Sequence, residues 1–259
     1  MRSLTLLFVI AAVVPLPLCA QSLSGRVSGV RSGTVVFHYQ ARAGVCGDGE
    51  SFIRIGRSFH GRVSSYTRNA PCDFGPVQIR LTLRDGAVDR VDTWVGRLHR
   101  QSDARDLGAV SSPEAARYLL DVARTATSKS TSSNAIMGAV LADSAKVWPS
   151  LLALAREQTG RSRASRDDAV FWLSQFAAST LNGRPNELFV DNDKDTEEDD
   201  LKGQAVFVLS QLPNRSGNDE LLNVARHNKD PRVRAKALFW LGQSRDPRAL
   251  DLFEEILRG

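Results

Sequence analysis

The residues of this 259-residue chain that could do chemistry are few and scattered. There are four histidines, His38, His60, His99 and His227. None has a second histidine or a cysteine three or four positions away, so the paired-histidine zinc arrangement on one helical face is absent. The chain has no GxSxG nucleophile elbow, no phosphate-binding loop, no dinucleotide-binding glycine fingerprint and no CxxCH haem attachment. Paired carboxylates such as Glu254-Glu255 lie on an amphipathic stretch and read as solvated. One acidic run, Asp191 to Asp200, places Asp at 191, 193 and 195 in the manner of a calcium loop. It fails at two positions: Thr196 stands where such a loop turns on glycine, and Lys202 where it needs a bidentate glutamate. The run reads instead as a solvated loop entering a helix, whose dipole favours acidic residues in the first turn. No catalytic, metal or cofactor residue is expected.

The three cysteines lead to a compartment. Cys19 lies in an N-terminal segment where Arg2 precedes an apolar run, Leu4 to Leu18, that ends in Pro15, Pro17 and the small residues Cys19 and Ala20. This is the layout of a secretory signal peptide over residues 1–20, with cleavage between Ala20 and Gln21. The run is short for a membrane span, which needs about 20 residues. Two competing readings are an uncleaved anchor helix and a lipidated Cys19; bulky Leu18 speaks against lipidation, because lipoprotein signals resemble one another in having a small residue there. Export leaves Cys46 and Cys72, and an even number of cysteines in an exported chain favours a disulfide. The bridge closes a loop of about 27 residues, worth on the order of 3 kcal/mol by chain entropy. A metal site is the alternative, but the pair lacks a CxxC partner or a histidine cluster. No later segment is long and apolar enough to span a membrane, so a periplasmic or secreted location is expected.

Charge is unevenly divided. Between Gln21 and Arg100 there are twelve arginines, no lysine and six acidic residues, a net of about +6, while the remainder is near −2. A basic N-terminal region suits anionic partners such as lipid headgroups or acidic glycan, although an arginine-rich surface without a ligand gives the same composition. Nucleic acid is a poor partner for an exported protein.

The elements fall into two groups. Residues 21–98 read as β structure. Val77, Ile79, Leu81 and Leu83 alternate with Gln78, Arg80, Thr82 and Arg84, the pattern of a half-buried strand. Asp85-Gly86 follows as a hairpin turn. In the return strand Val91 and Val95 lie on one parity and Val88 and Trp94 on the other, which predicts cover on both faces or a bulge. Thr34–Ala41 and Phe52–Ile55 are further strands, and the disulfide would tie two loops of this small sheet. Residues 99–112 read as a linker, with Ser112 capping a helix at Pro113. Residues 113–259 read as helices, in pairs at about 113–143, 146–178, 184–212 and 218–243, with a last helix at 246–258. Within them one phrase recurs: AVFWLSQ at Ala169–Gln175, AVFVLSQ at Ala205–Gln211 and ALFWLGQ at Ala237–Gln243. Such a period indicates stacked helical units, each burying its apolar stripe against the next.

The segment Asp230-Pro-Arg-Val-Arg234-Ala-Lys-Ala237-Leu-Phe-Trp-Leu241-Gly242 resembles the second helix of a HEAT repeat, with Leu221–Arg226 similar to the first. A basic residue stands three places before each phrase, at Arg166, Lys202 and Arg234. The acidic position of the pattern is less regular, with Ser162, Glu198 and Asp230. The resemblance implies that these charges form a structural ladder between units. It covers roughly Pro113 to Gly259 and is weakest in the first pair. Gln175, Gln211 and Gln243 fall at one place in each unit, as caps, as inter-repeat hydrogen bonds or as a polar row on a binding face. The expected architecture is α+β: a small disulfide-stapled β-rich domain, then an all-α HEAT-like solenoid. The function implied is an exported, non-catalytic scaffold that binds a protein or peptide. The alternative is a module whose β domain recognises anionic glycan or lipid; less expected is an enzyme, such as the chromophore lyases built on similar helices.

Overall fold

The computed structural model describes residues 22–56, 58–61, 71–99, 102–157, 163–184 and 197–259. The expected signal segment, its Ala20/Gln21 junction, Cys19, Ser162 and the Asp191–Thr196 part of the acidic run lie outside the described residues. A short helix α1 (Leu23–Ser28) leads into strands β1 (Gly33–Tyr39), β2 (Val45–Gly47), β3 (Phe52–Ile55), β4 (Ser58–Gly61), β5 (Val77–Arg84), β6 (Ala87–Val95) and β7 (Arg105–Ala109). Among the described residues eight α-helices follow: α2 (Ser112–Thr125), α3 (Lys129–Val140), α4 (Trp148–Arg156), α5 (Arg163–Leu181), α6 (Glu197–Gln211), α7 (Asn218–His227), α8 (Pro231–Ser244) and α9 (Pro247–Arg258).

The larger sheet has the order β6-β5-β1-β7, and a smaller one the order β2-β3-β4. Alternation sets the faces: Val77, Ile79, Leu81 and Leu83 are buried, while Arg84 on the other parity is exposed. Asp85 and Gly86 both take positive φ at the turn to β6, as a two-residue hairpin of this type requires. The parity conflict in β6 resolves as a bulge. Leu83 pairs with Val88 and Thr82 with Arg90, so Asp89 is the extra residue, and Val88 and Val91 come to the same face. Cys46 and Cys72 form the disulfide, which fixes β2 to the loop before β5.

Two expectations are corrected around the stretch expected to be a linker. Residues 105–109 form β7, which pairs in parallel with β1 through Val35/Arg105 and Val36/Asp106. The strand is at the sheet edge, and its mostly polar sequence carries no apolar alternation to announce it. The cap of α2 is Ser111, with no side-chain cap bond, and Pro113 sits in the first turn; the Ser112 hydroxyl donates instead to the Gln40 carbonyl.

The sheet is also not separate from the helices. A single apolar core runs from Leu23 of α1 through the sheet to Phe253 of α9. Tyr39 of β1 donates its hydroxyl to the Gly138 carbonyl of α3 at 2.6 Å, and a side chain at Gly138 would press on Ile79 and Leu119. Just beyond β1, buried Arg42 donates to the carbonyls of Val140, Ala142 and Ala145 at the end of α3. The Val140 carbonyl, at the helix end, has no helical partner, so the arginine satisfies it while its guanidinium lies over the Phe176 ring of α5.

Candidate functional site

The three copies of the repeated phrase lie on α5, α6 and α8, and their arrangement defines the sites. α6 and α8 stack side by side in parallel, as successive units do: Gly203 faces the Lys236 side chain, and the Phe207 and Trp240 rings are 5.1 Å apart. α5 packs on the opposite side of α8 and runs the other way. Its start meets the end of α8, with Asp167 near Arg245, while its Ser174 touches the position where Gly242 lacks a side chain. Along its length α5 follows α9: Val170 borders one cavity with Leu250, and Phe176 and Thr180 border another with Ile256 and Leu257. The expectation of an array stacked in chain order is therefore corrected: the third copy lies between the first and the second. The physical reason is small residues. Gly242 and Ser174 let the backbones of α5 and α8 approach, and α5 is enclosed by α3, α4, α8 and α9.

This order leaves the second copy at an edge. Ala169 and Ala237, the first residues of the outer-numbered copies, are fully buried, whereas Ala205 is exposed. Trp172 is 5% exposed but its counterpart Val208 is 57% exposed. Only Val206 of the second copy is well buried; Leu201, Phe207, Val208 and Leu212 are the exposed large apolar residues of this part of the chain. Leu201, Ala205, Val208 and Leu212 follow spacings of four and three, so they form one apolar stripe along α6.

A second feature is a cavity of about 380 Å³ where α4, α5, α8 and α9 meet, lined by Val170, Leu241 and Leu250 and by Arg166, Gln243 and Arg245. Thus the three basic residues expected to act alike do not. Arg234 donates to the carbonyls of Asn228 and Lys229 in its own unit. Lys202 lies near enough for its charge to help lower the Asp230 carboxyl, after the stronger effect of Arg232. Arg166 lines the cavity. The glutamines also diverge: Gln175 and Gln211 donate to the neighbouring Ser174 and Ser210 hydroxyls, while Gln243 faces the cavity.

Asp230 and Asp246 each cap a helix by accepting from the amide two residues on, with proline in the first turn. The second cap, Asp246-Pro247-Arg248, has the same local sequence as Asp230-Pro231-Arg232, a signal legible in the chain. Asp246 also accepts from Asn218 of the preceding unit at 3.0 Å, and Arg248 bridges to Asp219 at 2.6 Å. The Arg248 side chain, with lesser help from Asn218, holds the Asp246 carboxyl down at about 2.

The histidines fall on separate elements, and no group of three or more His, Cys, Asp or Glu among the described residues is placed to hold a metal ion. No helix of the described residues is long and apolar enough to cross a membrane. Among the described arginines of the basic N-terminal region, Arg26 donates to Leu107, Arg42 is buried, and Arg80, Arg84 and Arg90 pair with Asp103, Asp89 and Asp92.

Residues 193–259 match the family model for HEAT repeats. This C-terminal part of the chain, α6 to α9, is similar to HEAT repeats, and such repeats generally mediate protein interactions. No curated protein and no solved structure matches the chain.

Proposed function

We propose that this protein is an exported, non-catalytic interaction protein, and that it holds a protein or peptide partner against the HEAT helices. The observation that carries the reading is the exposed stripe of α6. The same phrase is buried in α5 and α8, so its sequence is built to be covered, and in α6 it is open. The partner is a helix whose own apolar stripe continues the stack beside Leu201, Ala205, Val208 and Leu212. Export is supported by the apolar N-terminal run ahead of Ala20 and Gln21 and by the Cys46–Cys72 bridge, since disulfides persist in oxidising compartments. Recognition of anionic glycan or lipid by the sheet has less support, because Arg80, Arg84 and Arg90 already pair with aspartates.

Removing the helices is not a clean test, because the sheet and α2–α3 share one core. Point variants of the full chain are. The wild-type protein and Val208→Asp serve as baits in an envelope fraction, and each retained protein is then purified and titrated directly. A partner that binds wild type and is weakened at least about tenfold by Val208→Asp supports the assignment. Equal binding by both baits would remove α6 from the interaction. Concentration-dependent self-association lost in the variant would identify the partner as a second copy.

A further inference from the structure

The cavity between α4, α5, α8 and α9 has three arginines, Arg156, Arg166 and Arg245, and three aspartates, Asp167, Asp246 and Asp251, on its lining. Its acidic lining is already engaged: Asp251 with Arg156 at 2.9 Å, Asp167 with Arg245 at 3.4 Å, and Asp246 with Arg248 and Asn218. Arg156 is doubly used, with Glu254 at 2.8 Å as well. Arg166, half-buried on the same lining, makes no hydrogen bond or ion pair among the described residues, and neither does Gln243. Val170, Leu241 and Leu250 supply the apolar part of the lining. On the same lining, Arg245 takes a left-handed backbone with φ 57° at the turn from α8 to α9. Glycine is the usual residue in such a cap because it avoids the strain, yet here the position carries a long cation.

We infer that this cavity binds a ligand with an apolar body ending in a single carboxylate. The Arg166 guanidinium takes the carboxylate through paired N–H donors, a geometry that suits its planar fork. The Gln243 amide donates to the same group, and Val170, Leu241 and Leu250 cover the apolar part. A half-buried cation that makes no ion pair among the described residues favours an anionic head over a neutral one. A more highly charged phosphate head is disfavoured by Asp167, Asp246 and Asp251 on the same lining. The volume, about 380 Å³, sits at the small end of ligand pockets and fits a short chain or one terminal residue. Two sources offer this chemistry: a free amphipathic acid, or the C-terminal residue of a peptide. The inference does not depend on the partner proposed for α6.

Calorimetric titration of the full-length protein tests it with four probes: octanoate, octanamide, N-acetyl-Gly-Leu with a free carboxylate, and the amide of that peptide. At least one acid binds, and its amide binds at least about tenfold more weakly. The tighter acid identifies the source. Arg166→Gln removes the preference for acid over amide, and Arg166→Lys keeps most of it; circular dichroism checks that each variant is folded. Equal affinity for acid and amide, an unaltered preference in folded Arg166→Gln, or no binding of any probe would overturn the inference.

Discussion

At the scale of single residues, the clearest commitments are made by caps. Asp246 holds its carboxyl at about 2 because Arg248, Asn218 and a backbone amide all donate to it. Asp48 is held there too: burial acts to raise it, but the Ser51 hydroxyl and the amides of Glu50, Ser51 and Phe52 outweigh that effect. Both values lie below the ordinary aspartate value of about 3.9. A depressed folded-state value means stability that is fully present above pH 4 and lost as pH falls from about 4 toward 2. Asp246→Ala is expected to cost about 1–2 kcal/mol at pH 7 through loss of the cap. Urea denaturation at pH 7 and again near pH 2 checks this, since the gap between variant and wild type should narrow in acid. Arg166 shows what one position can conceal. It shares a sequence register with Lys202 and Arg234, but its surroundings are set by α9 and α8 from 80 residues further on, and spacing alone does not carry that information.

At the scale of elements, legibility followed periodicity. β5, the hairpin turn and the repeated helices announce themselves because each buries one face in strict alternation or at helical spacing. The β6 bulge is visible as a parity conflict at Val88 and Val91, although which residue bulges depends on pairing with β5. β7 was not legible: Arg-Asp-Leu-Gly-Ala has no apolar face, and only the open edge of β1 makes it a strand. The stacking order was hidden for a related reason. Each phrase specifies that its helix will be buried and leaves open which neighbour will bury it. The glycine in the third copy is where the choice is made, because a Cβ at Gly242 would lie 3.1 Å from the Ser174 Cβ. Gly242→Leu is expected to destabilise the protein by about 1–3 kcal/mol by forcing α5 and α8 apart; a thermal melt of the folded variant measures it, and an unchanged melting temperature would show that the two helices do not meet there.

At the scale of the whole molecule, the HEAT-repeat segment does not stand as a free array. α5 lies along α8 and α9, in the place where a further second helix would stack, and it runs in the opposite direction to α8. That closes one end against the α2–α5 body and the sheet, and leaves α6 as the other end, with its apolar stripe exposed. The proposed function follows from this asymmetry: a repeat segment shut at one end and open at the other has one direction in which to extend, and a partner helix is what extends it. The most direct measurement is the stability of three variants that place aspartate at the first residue of each phrase. Ala169→Asp and Ala237→Asp bury a charge between packed helices and are expected to lose more than about 3 kcal/mol or fail to fold, while Ala205→Asp is expected to stay within about 0.5 kcal/mol of wild type. If Ala205→Asp unfolds the protein as readily as the other two, α6 is not an open edge and the account is contradicted.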